Sequence, residues 1–476
     1  MSREGPRGRG EPGDYTQRLD RADWAIREFE QAPLADRRLC KRLSAMAYDF
    51  ARHPGGSIPQ ACSTEAEVKG AYRFIENDFV LPQQILAGHR QASLSRLARE
   101  EVVLAVSDST AFNYSGLAQT QGLGPIGNKS RVGMRGLWLH STLCFSSRGL
   151  PLGLLAAQFW SRPEGGSPER DLAKLPLEAK ESVRWRQSFL ACQGVLRQLA
   201  QSNLWVNLAD MEGDIYEVFR AALAQSAPRV ELLVRSQHNR QLVGQKQRLW
   251  EYLAQQPSAD QVSVRVPRHP GQAARLATLQ IRFAQTLLEA PAPRRRRPAL
   301  PLWAVEAREP DPPRNTEAIL WRLVTTLPLR SPTAAVEKVH WYALRWGIEV
   351  FHKIVKSVCR AEESQLQSAQ RLERALMIDL VVAWRTHVLT LVARQDPDIA
   401  ASDYFAECEW KGLYSYIYRT RSVPAQAPRL SEMMFWIGRL GGFLKCKANP
   451  YPGPISLARG LSRLSDMAEM WSIHYG

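Results

Sequence analysis

Apolar positions change their period several times along the chain, and the changes separate helical from strand-rich segments. From about Thr16 to Asp78 they recur at helical spacing, and Thr64-x-x-Glu67 has the form of a capping box. Another helical stretch runs from about Leu177 to Gln201. Short apolar runs around it predict four strands: Val102–Val106, Leu137–Phe145, Leu152–Phe159 and Leu204–Leu208. The order strand, strand, strand, helix, strand predicts a mixed sheet.

The second half of the chain begins with strand-like pieces between Pro-rich turns, from about Val230 to Leu327. One turn carries Arg294-Arg295-Arg296-Arg297, for which a solvated loop tip is favoured over a DNA contact. A helix is predicted from about Thr333 to Val358, and a strongly apolar one from about Ser368 to Ala393. The remainder is helical and Trp-rich, which suits packing against another subunit.

These patterns predict four segments. They are a disordered basic arm at 1–14, a helical domain at 15–82, an α/β core at 83–392 with a β-rich insertion at about 228–328, and a helical domain at 393–476. In the first helical domain, Arg37, Arg38, Lys41 and Arg42 form a basic face. Such a face fits DNA phosphates, although a solvated charged face has the same pattern.

Composition narrows the class of protein. The 476 residues carry a net charge of +16. This charge favours a polyanionic partner over the alternative that the protein simply comes from a generally basic proteome. Seven cysteines without a C-x-x-C pair indicate reduced thiols in a cytoplasm. Neither a run of about 18 apolar residues nor an apolar signal core is present, so neither membrane insertion nor secretion is expected.

Three acids stand at positions suited to catalysis. Asp108 and Asp210 directly follow predicted strands, and Glu349 lies on a helix. If the three converge, their repulsion calls for Mg²⁺ or Mn²⁺, and two ions about 3.5–4 Å apart would serve phosphoryl transfer. Each acid also has a plainer interpretation, because Asp is common in turns and helix caps, and Glu349 has Arg345 and Lys353 at i,i+4 spacing.

The helix around Glu349 carries further groups suited to phosphate. Tyr342, Arg345, Glu349 and Lys356 fall within roughly 60° of one another at about 100° per residue, so they share one face. An acid flanked by phosphate-seeking groups is what an enzyme needs to hold a metal ion against a nucleic-acid backbone.

The pattern resembles the DDE transposases with a ribonuclease H-like core, in the bacterial insertion-sequence branch typified by the Tn5 transposase. The resemblance covers nearly the whole chain in the same order. It implies a ribonuclease H-like mixed sheet with flanking helices, a β-rich insertion and helical terminal domains. The resemblance rests on the Tyr342 to Lys356 signature and on several other segments. These segments are Ala71-Tyr72-Arg73-Phe74-Ile75, Ser107-Asp108-Ser109-Thr110, Lys129-Ser130-Arg131, Ala209-Asp210 through Asp214, Val234-Arg235-Ser236, Phe351-His352-Lys353 and Arg439-Leu440-Gly441-Gly442-Phe443.

The resemblance implies roles for these positions. Asp108, Asp210 and Glu349 correspond to a triad that binds two Mg²⁺ ions, with Mn²⁺ as a substitute. The residues implied to contact DNA are Tyr342, Arg345, Lys356 and Lys353 beside the cleaved bond, Trp321 against a flipped base, Arg42 in the end-binding domain and Arg235 on the insertion's first strand. A core tryptophan is the alternative for Trp321, and His352 is expected to support the site structurally.

Three departures from the family pattern stand out. Position 211 is Met where the family commonly has arginine, and Val350 follows Glu349 where a second acid is usual. The C-terminal tail is several residues shorter than in the type member, which bears on subunit pairing.

The implied function is cut-and-paste transposition in a bacterial cytoplasm, associated with the nucleoid. The partners would be transposon-end double-stranded DNA, target DNA and a second subunit in a synaptic complex, with no membrane. The steps would be end binding, nicking, hairpin formation and opening, and strand transfer. Two alternatives stay open: a catalytically silent transposase-derived DNA-binding regulator, and a ribonuclease H-like DNA nuclease.

Overall fold

The computed structural model describes residues 23–127, 133–164, 175–199, 203–266, 274–291, 297–446 and 450–475. The predicted arm at 1–14, the Lys129-Ser130-Arg131 segment and three of the four consecutive arginines, 294–296, lie outside these ranges. The fourth, Arg297, pairs with Glu217 at 3.1 Å.

The described residues form α-helices, strands and short 3₁₀ turns. The helices are α1 Asp23–Phe29, α2 Arg37–Arg52, α3 Ile58–Ala61, α4 Glu65–Glu76, α5 Pro82–Leu97, α6 Val183–Leu199, α7 Tyr216–Leu223, α8 Leu249–Ala254, α9 Pro332–Leu344, α10 Trp346–Ser357, α11 Ala369–Gln395, α12 Glu407–Tyr418, α13 Leu430–Leu440 and α14 Pro454–Tyr475. The strands are β1 Val102–Asn113, β2 Gly124–Pro125, β3 Arg135–Ser146, β4 Pro151–Trp160, β5 Leu204–Ala209, β6 Val230–Arg235, β7 Asp260–Val266, β8 Arg275–Leu288, β9 Leu300–Arg308 and β10 Leu320–Thr325.

Two compact units divide the chain. One, the helical unit, comprises the described parts of Met1–Ser93, Gly116–Gly122 and Lys353–Gly476. The other, the sheet unit, comprises the described parts of Leu94–Ser115 and Leu123–His352. The boundary between them falls inside α5 and inside α10.

The sheet unit contains a ten-stranded mixed sheet in the order β2-β3-β1-β5-β6-β10-β9-β8-β7, with β4 paired to β3. Strands β1 and β3 are antiparallel, whereas β1, β5 and β6 run parallel to one another. The predicted mixed α/β sheet, consistent with a ribonuclease H-like fold, is therefore confirmed.

The β-rich insertion extends the same sheet. Its predicted first strand, β6, lies parallel to β5 on one side and antiparallel to β10 on the other. Strands β10, β9, β8 and β7 then continue by antiparallel pairing. Strand β6 is therefore the third parallel strand of the central sheet, and the purely antiparallel strands begin after it.

The apolar runs of β1 and β5 are explained by burial on both faces. Val103 to Val106 and Trp205 are completely buried. Side chains from α6 and α7, including Phe189 and Phe219, pack with Val103, Ala105 and Trp205 in one core cluster. Strands covered on both faces show continuous apolar runs rather than alternation, which is why the sequence revealed them.

The helix predicted from Thr333 to Val358 is two helices, α9 and α10, separated at Arg345. The Arg345 N–H donates to the Tyr342 carbonyl at 3.0 Å, and the Ile348 N–H donates to the Arg345 carbonyl at 3.1 Å, so the chain tightens into i,i+3 bonds there. Close to this break, Gly347 packs against β3, since a Cβ on Gly347 would lie 2.7 Å from the Phe145 ring. The prediction of one continuous helix was wrong.

The helical unit confirms the predicted N-terminal helices and the long apolar helix. At α4, the Thr64 side chain accepts from the Glu67 N–H, and the Glu67 carboxylate accepts from the Thr64 N–H, as a capping box requires. Buried Arg374 on α11 donates to the carbonyls of Ile75 and Val80, tying α11 to the segment after α4.

One described helix, α11, is long and apolar enough to cross a membrane by length and composition, with a mean hydropathy of 1.6 in its most apolar window. However, 83% of that window is buried within the protein, as in the core helix of a soluble protein. All seven cysteines are free thiols, as their spacing predicted.

Candidate active site and nucleic-acid interface

Parallel pairing brings Asp108 and Asp210 side by side. Val106 on β1 is opposite Leu208 on β5, and the two aspartates follow two residues later on each chain. The Asp108 Oδ1 accepts the Ser109 N–H at 2.8 Å. The Asp210 Oδ1 accepts the Glu212 N–H at 2.9 Å, so Asp210 caps the 3₁₀ turn Met211–Gly213. Asp210 therefore also acts as a cap, as its plainer interpretation from the sequence predicted.

Glu349 joins this pair through Arg345. The Arg345 Nη2 donates to the Glu349 Oε1 at 2.6 Å, and its Nη1 lies 3.8 Å from the Asp108 Oδ2. The guanidinium therefore bridges two of the three acids. One of these contacts is the i,i+4 pair of Arg345 and Glu349, which was the plainer interpretation of Glu349 from the sequence. The side chains of Asp108 and Arg345 are each only 16% exposed, so this bridge is poorly screened by solvent.

The surroundings of Asp108 change its protonation. Burial, and then the negative charge of Asp210, raise the pKa of Asp108 to about 7, and Glu349 adds to the rise. Arg345 and the Ser109 N–H oppose this shift without cancelling it. Burial disfavours the charged form of Arg345, but Tyr342, Glu349 and Asp108 outweigh it and raise the pKa of Arg345. The three acids form one electrostatic cluster with too little positive charge.

Tyr342 lies beside this cluster. It is buried, its ring meets that of Trp321 edge to face at 5.2 Å, and the Arg345 guanidinium lies 5.8 Å from its centroid. Burial raises the pKa of the Tyr342 hydroxyl, while the charges of Arg345 and Arg235 act in the opposite direction. The Arg235 Nη2 donates to the Leu320 carbonyl at 3.4 Å. Trp321, Tyr342, Arg345 and Arg235 are therefore neighbours.

His352 contacts strand β3. It is buried, and its Nε2 is 2.8 Å from the Ser141 Oγ. Ser141 is the residue of β3 directly opposite Asp108 in the antiparallel register. His352 thus contacts the strand position paired with Asp108.

The remaining predicted contacts belong to the helical unit. Lys353 is exposed and Lys356 is half-buried, both on the part of α10 that lies in that unit. Arg42 on α2 is half-buried with its guanidinium against Gly70 of α4, where a Cβ would lie 2.5 Å from the Arg42 Cζ. The other residues of the basic face, Arg37, Arg38 and Lys41, are exposed.

Sequence reasoning missed the groups that support the two aspartates. The Ser109 Oγ is 2.8 Å from the His140 Nδ1 across the β1–β3 pairing. Asp214 accepts the N–H groups of Gln237 and His238 and pairs with Arg240, which fixes the turn after Asp210. The acid-rich run from Asp210 to Asp214 indicates this turn. The strand register that places Ser109 opposite His140 cannot be predicted from the sequence pattern.

Two family models match the chain. Residues 21–80 match the model described as transposase DNA-binding, and residues 381–472 match the model described as transposase Tn5 dimerisation domain. These are the domains of a Tn5-like insertion-sequence transposase. The two matches support DNA binding through residues 21–80 and homodimer formation through residues 381–472.

The structure agrees with both matches. The DNA-binding match includes α1 to α4 and the exposed basic residues of α2. The dimerisation match contains several large exposed apolar side chains: Tyr416, Tyr418, Leu444, Tyr451, Ile455 and Met470. Such surfaces suit a protein interface. Neither match spans Asp108, Asp210 or Glu349.

Proposed function

We propose that this transposase moves its element by cut-and-paste, through nicking, hairpin formation and opening, and strand transfer into target DNA. The observation that carries the proposal is the cluster of Asp108, Asp210 and Glu349, where two acids help to raise the pKa of the third to about 7. Structural carboxylates usually have paired charges, whereas this cluster has surplus negative charge next to basic groups.

The donor set fits Mg²⁺ or Mn²⁺. Three carboxylates supply the hard oxygen ligands that these ions prefer, and Arg345 is the cation that contacts Asp108 and Glu349 among the described ion pairs. Within the described residues, no group of three or more His, Cys, Asp or Glu side chains already has an arrangement that could hold a metal ion. Bound by Asp108, Asp210 and Glu349, two ions would activate a water or 3′-hydroxyl and stabilise the leaving oxygen.

Arg345 has two roles in this proposal. Without DNA it bridges Asp108 and Glu349 and partly balances them. With DNA bound, its planar guanidinium is suited to a bidentate contact with a phosphate, and its release would free both acids for cations. Tyr342 lies beside it to position the same phosphate, and Lys356 and Lys353 supply point charges along the backbone.

The other proposed contacts follow from their surroundings. Trp321, half-buried and packed edge to face on Tyr342, is placed for stacking by a base flipped from the transposon end. Arg235 borders Tyr342 and would contact the same strand. Arg42 and the exposed basic face of α2 would bind the end duplex, and two subunits would hold two ends in a synaptic complex.

The test compares binding with cutting. Glu349→Ala removes one acid of the cluster, so the purified variant should bind end-bearing DNA as the wild type does but fail to nick it in Mg²⁺. Glu337→Ala on α9 is a matched control, because this half-exposed glutamate pairs with Lys338 and is separate from the cluster; it should nick normally. Undiminished nicking by Glu349→Ala would refute the assigned site.

The products separate the alternatives. Hairpin-ended fragments distinguish the transposase pathway from a simple ribonuclease H-like nuclease. Tight end binding with no nicking by the wild-type protein in either Mg²⁺ or Mn²⁺ would instead identify a silent DNA-binding regulator.

A further inference from the structure

The helix α14 exposes one regular stripe of side chains. At about 100° per residue, positions spaced by three or four residues from 455 to 473 fall within about 80° of one another. All of them are exposed: Ile455, Arg459, Arg463, Asp466, Met470 and Ile473. The opposite side of α14, which includes Leu457, Leu461 and Leu464, is buried. The stripe is therefore the face of this helix that is left for a partner, and all of it except Ile473 lies inside the matched dimerisation region.

The types of residue along the stripe suit pairing with a second copy of itself. When the copy lies against this face in the antiparallel direction, residues at equal distances from the midpoint of the stripe face each other. Ile455 then faces the partner's Ile473, and the aliphatic part of Arg459 faces the partner's Met470. Because such a pair is two-fold symmetric, each contact occurs twice. Ile455 is 43% exposed and Ile473 is 69% exposed, so the contacts at both ends remove apolar surface from water.

The centre of the stripe carries opposite charges. Arg463 and Asp466 are both exposed, and neither forms an ion pair with another described residue. The Arg463 Nη1 donates to the Leu440 carbonyl at 2.6 Å, which holds the guanidinium in place and leaves its other N–H groups for a partner. Antiparallel pairing places Arg463 against the partner's Asp466 on both sides of the two-fold axis. Parallel pairing would instead place Arg463 against the partner's Arg463, so the charges favour the antiparallel direction.

A cavity of about 860 Å³ in the helical unit borders the N-terminal half of the stripe. Ile455, Arg459 and Arg463 line it from α14, and Arg360, which also pairs with Glu363, lines it from another segment. None of the described residues that line this cavity is acidic. In the antiparallel arrangement, the C-terminal turn of the partner's α14 lies at this cavity. A helix C-terminus carries partial negative charge, so the cavity and that turn are electrostatically complementary.

We propose that α14 pairs with α14 of a second copy in the antiparallel direction, through this stripe and around a central Arg463–Asp466 contact that is made twice. DNA phosphate is the other occupant that the arginines of the cavity would attract. Asp466 and the two isoleucines on the same stripe favour a second copy over phosphate, because a phosphate is repelled by a carboxylate and gains nothing from apolar side chains. The pairing does not depend on the carboxylate cluster of the sheet unit.

Charge reversal in the full-length protein tests the pairing. Arg463→Glu and Asp466→Arg each place like charges at the centre of a homodimer, so each variant alone should dimerise about 30- to 150-fold more weakly than the wild type. Sedimentation equilibrium measures this, with and without end-bearing DNA. In an equal mixture of the two variants, both central contacts of a heterodimer again join opposite charges. The mixture should therefore dimerise within about threefold of the wild-type affinity, which misfolded variants would not do.

Arg421→Glu is the matched control, because Arg421 is an exposed arginine in the matched dimerisation region but outside α14. It should dimerise as the wild type does, and it should not rescue Asp466→Arg in a mixture. Wild-type dimerisation by both stripe variants alone, or a mixture that dimerises no more tightly than either of them, would overturn the proposal. So would a wild type that is monomeric with and without DNA. Loss of end binding by Arg463→Glu with unchanged dimerisation would also overturn it, and would identify the cavity as a DNA site.

Discussion

Asp108→Asn should stabilise the metal-free protein at neutral pH, although it removes a proposed catalytic group. The pKa of Asp108 rises from 3.8 to about 7 in the folded state, first because of burial and then because of Asp210. Between these values the folded state binds more protons than the unfolded state. The free energy of unfolding of the wild type therefore falls as pH rises from about 4 to 7.

The magnitude follows from the shift. The difference between 3.8 and about 7 is about three units, which at 1.36 kcal/mol per unit is on the order of 4 kcal/mol. The asparagine does not titrate, so the stability of Asp108→Asn relative to the wild type should grow by up to that amount between pH 4 and pH 7.5. Above pH 7.5 the difference should stay constant.

Urea unfolding in EDTA at a series of pH values measures this difference. Asp311→Asn is the control, because Asp311 is exposed, and its difference from the wild type should not change with pH over the same range. A pH-independent difference for Asp108→Asn, or one that shrinks as pH rises, would show that burial and Asp210 do not raise the pKa of Asp108 in the folded state. Added Mg²⁺ should restore stability to the wild type at pH 7.5 and have less effect on the variant.

Two other predictions concern the helical unit. Lys41→Gln on the exposed basic face should weaken end binding at every sequence tested and lower the salt dependence of log K by about one unit. Binding titrations between about 50 and 200 mM salt measure both effects. Lys246→Gln, at an exposed position in the sheet unit, is the control and should change neither. Arg374→Met should destabilise the helical unit by about 2–6 kcal/mol, because the carbonyls of Ile75 and Val80 lose their donor; thermal unfolding measures this, and an unchanged midpoint would refute it.

Much of the fold was predictable because its signals are local. The buried parallel strands β1 and β5 show apolar runs, and the capping box at Thr64 fixes a helix start within four residues. Asp108 and Asp210 were identified because each follows such a run. Their proximity then follows from the parallel register of β1 and β5.

What the sequence did not reveal depends on contacts between distant segments. The break at Arg345 lies beside Gly347, which packs closely against Phe145 of the distant strand β3. The Trp138–Trp160 stack likewise depends on the β3–β4 register, which shifts at a bulge. Side-chain partnerships across strands are specified by register, and register is a property of the folded sheet.

The central claim is that Asp108, Asp210 and Glu349 bind the same divalent ions. Iron-mediated cleavage tests it most directly, because Fe²⁺ that replaces Mg²⁺ cuts the polypeptide near its ligands when peroxide and ascorbate are added. We expect backbone cuts near all three residues in the wild type, suppressed by excess Mg²⁺ and lost in Asp108→Asn. Cuts near only one of the three acids, or cuts that Mg²⁺ does not suppress, would contradict it.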